Sequence, residues 1–233
     1  MRLTPVPWRA CWSRAGWLAV ALVASAVATH AYVANGHVWQ SHLVPYYVNP
    51  VNLDLPEVDI VAAVQAGADN WRNQSAADFA FSYGGRTSAT AAVNNGHNDV
   101  FFRNESNGAT IAMTYWWYDA SGYLMDADVL FYDGGFSFFS NAGACSSGQY
   151  VQDVATHEFG HALGLKHTDV AVATMYPSTT VCSQNWRSLD PDDIAGVEAL
   201  YGRRTARTPA APTAVKVAAD LLSWLSWPGA SLD

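Results

Sequence analysis

Within the stretch His157 to His167, HEFGHALGLKH, the chain carries three imidazoles and one carboxylate. His157 and His161 are four apart, so on a helix they project from one face about a turn from each other and can grip a single ion. His167 lies beyond Gly164, where the chain can reverse at little steric cost. Three neutral imidazoles leave one position open on a zinc ion, which separates a catalytic zinc from a structural one. Glu158, next to the first histidine, would stand at that open side. There it can take a proton from a zinc-bound water, whose pKa the metal lowers from about 15.7 to about 7, and pass it to a leaving amine. The metal would meanwhile polarise the scissile carbonyl. Burying the same four side chains with no ion would strand several polar groups, so plain core packing is the weaker account.

The elements that must position this motif are legible around it. A helix is expected from about Gln149, with apolar residues Val151, Val154, Ala155, Phe159 and Ala162 at helical spacing and a stop at Gly164. The first two histidines then sit on the helix and the third past its end. Upstream, VWQSHLVPYYVNP reads as a first strand, followed by a long helix in VDIVAAVQAGADNWRNQSAADFAF. From Phe79 to Asp133 short strands alternate with Gly, Asn and Asp, and TIAMTYWWYDASGYLMDADVLFYD reads as a hairpin turning at Asp119 to Gly122.

The whole chain sets the context. Its 233 residues, half of them apolar, suit one domain with a substantial core. Arg2, Arg9 and Arg14, the apolar run WLAVALVASAV and the small residues of AVATHA read as a secretory signal over 1–31, with an uncleaved anchor helix as the alternative. Removal of that segment leaves nine basic residues against twenty acidic ones, a net charge of −11, which disfavours nucleic acid and anionic lipid as partners. It also leaves Cys145 and Cys182 as an even pair in an oxidising compartment, to be joined or left as two free thiols. The domain is expected over 32–203, and 204–233 reads as a linker with a short apolar tail.

At these residues a resemblance emerges. HEFGHALGLKH resembles the extended zinc signature of the metzincin metallopeptidases, and ATMYP, with Met175 eight residues after the third histidine, resembles their Met-turn. Within that clan the chain is most similar to the matrixins, because Tyr176 directly follows Met175 and Pro177 stands where other branches place a zinc-contacting Tyr. LDPDDIAGVEALYG resembles their closing helix, whose paired aspartates, here Asp192 and Asp193, tie it to the Met-turn or the chain start. The resemblance implies an α+β metzincin (zincin-like) fold: a mixed twisted sheet with two long helices plus a C-terminal helix. It implies zinc on His157, His161 and His167, Glu158 as base, and Met175 as a floor that does not ligate. It further implies that the strand Thr110–Trp117 takes substrate as an added strand, with Ile111, Ala112, Met113, Thr114, Tyr176 and Pro177 contacting it, and that 177–190 walls the pocket for the residue after the cut.

Departures from the pattern also matter. There is no PRCG cysteine switch, so latency by that route is not expected, and His97, His37 and His42 read as ordinary histidines rather than ligands of a second zinc. Asp126, Asp128 and Asp133 are candidates for calcium, against the alternative of solvated carboxylates. The expectation is a secreted, extracellular or periplasmic, monomeric zinc endopeptidase acting on proteins or peptides, with no membrane association after signal cleavage. The alternative is a zinc-bearing binding or adhesion protein with narrow or vestigial activity.

Overall fold

The computed structural model describes residues 30–140 and 145–205. The expected signal segment to residue 29 and the tail from 206 lie outside the described residues. In chain order the elements are β1 (Val33–Ala34), β2 (Val38–Trp39), β3 (Leu43–Val48), α1 (Glu57–Gln74), β4 (Ala80–Arg86), β5 (Asp99–Arg103), β6 (Ala112–Tyr118) and β7 (Tyr123–Tyr132). They continue with β8 (Phe138–Phe139), β9 (Gln149–Tyr150), α2 (Val151–Ala162), β10 (Leu165–Lys166), a short 3-10 turn (Asn185–Arg187) and α3 (Pro191–Tyr201). Among the described residues no helix is long and apolar enough to cross a membrane.

The main sheet runs β2-β7-β5-β3-β4, all parallel, and β6 joins β7 antiparallel through a hairpin turning at Asp119 to Gly122. Strand β5 up to Phe102 and the second half of β7 are buried, as expected of central strands covered on both faces. One face packs on α1 and α2. A smaller cluster of Phe101, Leu130 and Tyr132, with Met113 and Tyr115, covers the other. This is the mixed α+β architecture that the sequence implied.

Helix α1 buries Ile60, Ala63, Val64, Gly67, Ala68 and Trp71 along one stripe, and Glu57, Asp59 and Arg72 suit the charge at its two ends. It stops at Gln74, short of the apolar spacing that continues to Phe81. Ser75 is extended, its hydroxyl donates to the Trp71 carbonyl at 2.5 Å, and Ala80 and Phe81 join β4 instead. The expected first strand is likewise two strands, β2 beside β7 and β3 between β5 and β4. Helix α2 is buried on nearly every side. Indole N–H groups of Trp71 and Trp39 hold it by donating to the carbonyls of Thr156 and Ala162, both at 2.8 Å.

Helix α3 starts with Asp190 as N-cap, Pro191 in the first turn and a capping box closed by Asp193. Cys145 and Cys182 form a disulfide, which ties the segment after the Met-turn to the loop before α2. By loop-closure entropy such a link stabilises the fold by about 4 kcal/mol.

Candidate metal centre and cleft

Helix α2 aims His157 and His161 at the same point, and Gly164 turns the chain so that β10 delivers His167 to it. Gly164 has φ +115°, and a Cβ there would lie 2.6 Å from the His37 carbonyl, so both conformation and space require glycine. The Nε2 atoms of His157 and His161 lie 3.2 and 3.1 Å from His167 Nε2. Four-coordinate zinc with bonds near 2.0–2.1 Å requires ligand nitrogens roughly 3.3 Å apart, which these spacings match.

The far side of each ring decides what the near side carries. His157 Nδ1 donates to the Thr174 carbonyl at 2.6 Å and His161 Nδ1 donates to the Leu165 carbonyl at 2.9 Å. A carbonyl only accepts, so the proton is on Nδ1 in both rings and each Nε2 offers a lone pair. Burial, then the neighbouring His161, hold His157 well below the usual histidine pKa; burial also lowers His161 and His167. The lone pairs of His157 and His161 therefore point at the same place as His167 Nε2, an arrangement that a divalent cation satisfies. Among the described residues this triad is the one group of three potential ligands able to hold a metal ion.

Glu158 is 5 % exposed and lies in the same cleft. Burial pushes its pKa up to about 7, opposed by the hydroxyl of Thr114, which donates to Oε2 at 2.6 Å. A cation in the triad would favour the ionised form.

Met175 lies under the site, 2 % exposed. A Cβ on Gly160 would fall 2.2 Å from its sulfur and 2.6 Å from Trp71 Cζ2. The glycine of HEFGH is therefore where α2 rests on the Met-turn. Gly160→Ala is expected to lower stability by about 1–3 kcal/mol and to loosen the metal, read from thermal melts with and without added zinc.

Asp193 Oδ2 accepts the Thr174 N–H at 2.7 Å and Oδ1 accepts the Met175 N–H at 3.0 Å, while Asp192 Oδ1 accepts the amides of Ala31 and Tyr32 at 2.5 and 2.9 Å. One aspartate thus reaches the Met-turn and the other the start of the described chain.

The cleft above the triad has a volume of about 730 Å³. Of the residues that the resemblance implies as substrate contacts, Ile111, Ala112, Met113, Thr114 and Pro177 line it; Tyr176 does not. The walls also include Trp116, Val154, Lys166 and Trp186. Val154 could have been found one helical turn before His157. Trp186, stacked on His157 with ring centroids 4.3 Å apart, carries no such signal.

Of the three aspartates considered for calcium, Asp126 and Asp128 share one face of β7 and Asp133 lies apart. Asp126 Oδ2 takes the amides of Asn95 and Gly96, and Asp128 takes those of Val93 and Asp99. Asp133 accepts the Leu53 amide and lines a different cavity with Asp54. His97 pairs with Asp99, His42 with Asp78, and His37 stacks on Tyr118.

The sheet, the edge strand β6, the long helix beneath it and the three-histidine centre over a buried methionine define a zincin of the metzincin type. The chain belongs to the matrixin family, whose model matches residues 38–202. It is similar to matrilysin of Mus musculus, 28 % identical over 188 residues, covering 76 % of this chain and 64 % of that protein. It is also similar to macrophage metalloelastase of Oryctolagus cuniculus, 26 % identical over 165 residues, covering 71 % of this chain and 34 % of that one. A shorter match to a hatching enzyme of Paracentrotus lividus is 54 % identical over 56 residues, 24 % of this chain and 9 % of that protein. The chain therefore spans less than two thirds of the length of these curated relatives.

Proposed function

We propose that this protein is a secreted zinc endopeptidase that hydrolyses peptide bonds in extended segments laid along β6. The observation that carries this reading is the convergence of three histidine Nε2 atoms beside a buried carboxylate in one open cleft. A zinc ion held by His157, His161 and His167 would supply a Lewis acid at the scissile carbonyl. The protein does the rest. Strand β6, paired on one side only among the described residues, offers its free edge to an incoming chain. Val154, Pro177 and Trp186 take the side chain that follows the cut. Glu158 carries the proton from attacking water to the departing nitrogen. Met175 lies too deep to reach substrate and serves as the floor.

Secretion is supported by the charged-then-apolar pattern of residues 1–31 and by the Cys145–Cys182 disulfide, a linkage that persists in oxidising compartments. Mature protein is expected to cut an unfolded protein substrate, to lose at least 90 % of that activity (roughly tenfold or more) on chelation and to regain it with zinc. Chelator-resistant cleavage, or a metal-loaded protein that cuts nothing in a broad peptide library, would overturn the reading.

A further inference from the structure

Glu158 depends on one side chain from outside its helix. Thr114, at the middle of β6, brings its Oγ1 to 2.6 Å from Glu158 Oε2 and 3.1 Å from the Glu158 carbonyl oxygen. Both acceptors belong to the same residue, and the hydroxyl has a single proton, so its shorter contact is the donation to the carboxylate. Among the described residues no other side-chain donor reaches that carboxylate. Oε1 is not a buried orphan, and Glu158 lines the cleft, so the second oxygen faces open space.

The backbone of the same residue faces another way. The Ile111 carbonyl accepts from the Tyr132 amide, and the register continues through Met113 with Leu130. Antiparallel pairing alternates, so residues 111, 113 and 115 turn their main-chain groups to β7, whereas Ala112, Thr114 and Trp116 turn theirs to the free edge. Thr114 thus meets an added strand through its peptide groups and Glu158 through its hydroxyl. Threonine suits both tasks, because its branched Cβ favours strand geometry and restricts the hydroxyl to few rotamers.

We propose that Thr114 is a positioning residue for Glu158: its hydroxyl fixes Oε2, so that Oε1 is presented to the bond held on the edge of β6. The proposal rests on the endopeptidase reading. It adds a link between the seating of substrate on the strand and the aim of the base, 44 residues away in sequence.

The test compares Thr114→Val, which keeps shape and strand preference but removes the hydroxyl, with Thr114→Ser, which keeps the hydroxyl. With zinc-loaded protein and a peptide substrate, the valine variant is expected to lose about tenfold or more in kcat, with KM changed by less than about twofold and zinc content unchanged. Serine is expected to restore most of the loss. In metal-free protein, the Tm losses of Thr114→Val and Glu158→Ala are expected to be non-additive, a readout independent of turnover. If the valine variant does not fold, Thr114→Ala against Thr114→Ser asks the same question at similar size. Unchanged kcat in the valine variant, a loss confined to KM, serine no better than valine or alanine, or additive Tm effects would each overturn the proposal. Wild-type protein that binds zinc yet cuts no peptide would instead overturn the endopeptidase reading, and the Tm cycle would still report on the contact.

Discussion

Glu158→Ala is expected to lower kcat by on the order of 10² to 10⁴ while zinc content stays at the wild-type level. The two halves of that result come from different parts of the structure. Metal retention follows because the triad is made of His157, His161 and His167, each oriented without Glu158; the first two are fixed by the carbonyls of Thr174 and Leu165. Loss of turnover follows because Glu158 is the titratable carboxylate that lines the cleft beside the triad. The variant should fold. Thr114 Oγ1, deprived of the carboxylate, still has the residue 158 carbonyl at 3.1 Å. In metal-free protein the variant should even gain on wild type as pH rises. Burial raises the Glu158 pKa from 4.5 to about 7, so its favourable contribution to folding is present below 4.5 and is lost as pH climbs through 7. The Tm difference, variant minus wild type, should therefore grow between pH 5 and 8. Full turnover in the alanine variant would remove the base from the mechanism, and loss of zinc would make Glu158 part of the metal site instead.

How much of this was readable in the chain depends on distance along it. The three histidines of the candidate metal centre lie within one turn of helix and the bend that follows, so local periodicity and one glycine suffice to bring them together. The stop of α2 at Gly164 and the start of α3 at the capping box of Asp190 and Asp193 are also local chemistry. Pairings that close long loops are not. VWQSHLVPYYVNP looks like one strand, because nothing in it announces that Val38 will lie beside Tyr123 while Leu43 lies beside Ala80. The apolar spacing of α1 runs on past Gln74 because Phe79 and Phe81 are buried too, but against Tyr201 and Phe159 and outside the helix. The family resemblance implies Thr114 as a substrate contact, but its contact with Glu158 needs the fold. The same is true of Trp186, whose stacking on His157 depends on how 177–190 folds back. Asp126 and Asp128 are two apart on one face of β7, and that they accept amides of the loop 93–99 is not readable from their spacing.

Loss of a carboxylate from the closing helix should be felt at the metal. Asp193 is 1 % exposed and accepts three backbone amides, those of Thr174, Met175 and Asp190. Thr174 and Met175 are themselves buried, so Asp193→Ala would leave their N–H groups without partners and open the capping box of α3. Each stranded group costs about 1–3 kcal/mol, and the combined loss is expected to be roughly 3–5 kcal/mol, or a Tm fall of about 6–20 °C in a domain of this size. The consequence for zinc runs through a single residue. Asp193 holds Thr174 by its N–H, and the Thr174 carbonyl holds His157 by Nδ1. A slack Met-turn would let that ring rotate, and weakened outer partners of a metal-ligating histidine typically cost 10–100-fold in affinity. Asparagine is not expected to rescue the site. Its amide group keeps one acceptor but turns two donors toward backbone N–H groups that also donate. Metal titration of Asp193→Ala and Asp193→Asn, at a temperature where both remain folded, separates the two effects. Wild-type zinc affinity in a destabilised variant would confine Asp193 to the fold, whereas a parallel loss in both variants would show that the helix closing the chain's domain also sets the grip on its metal.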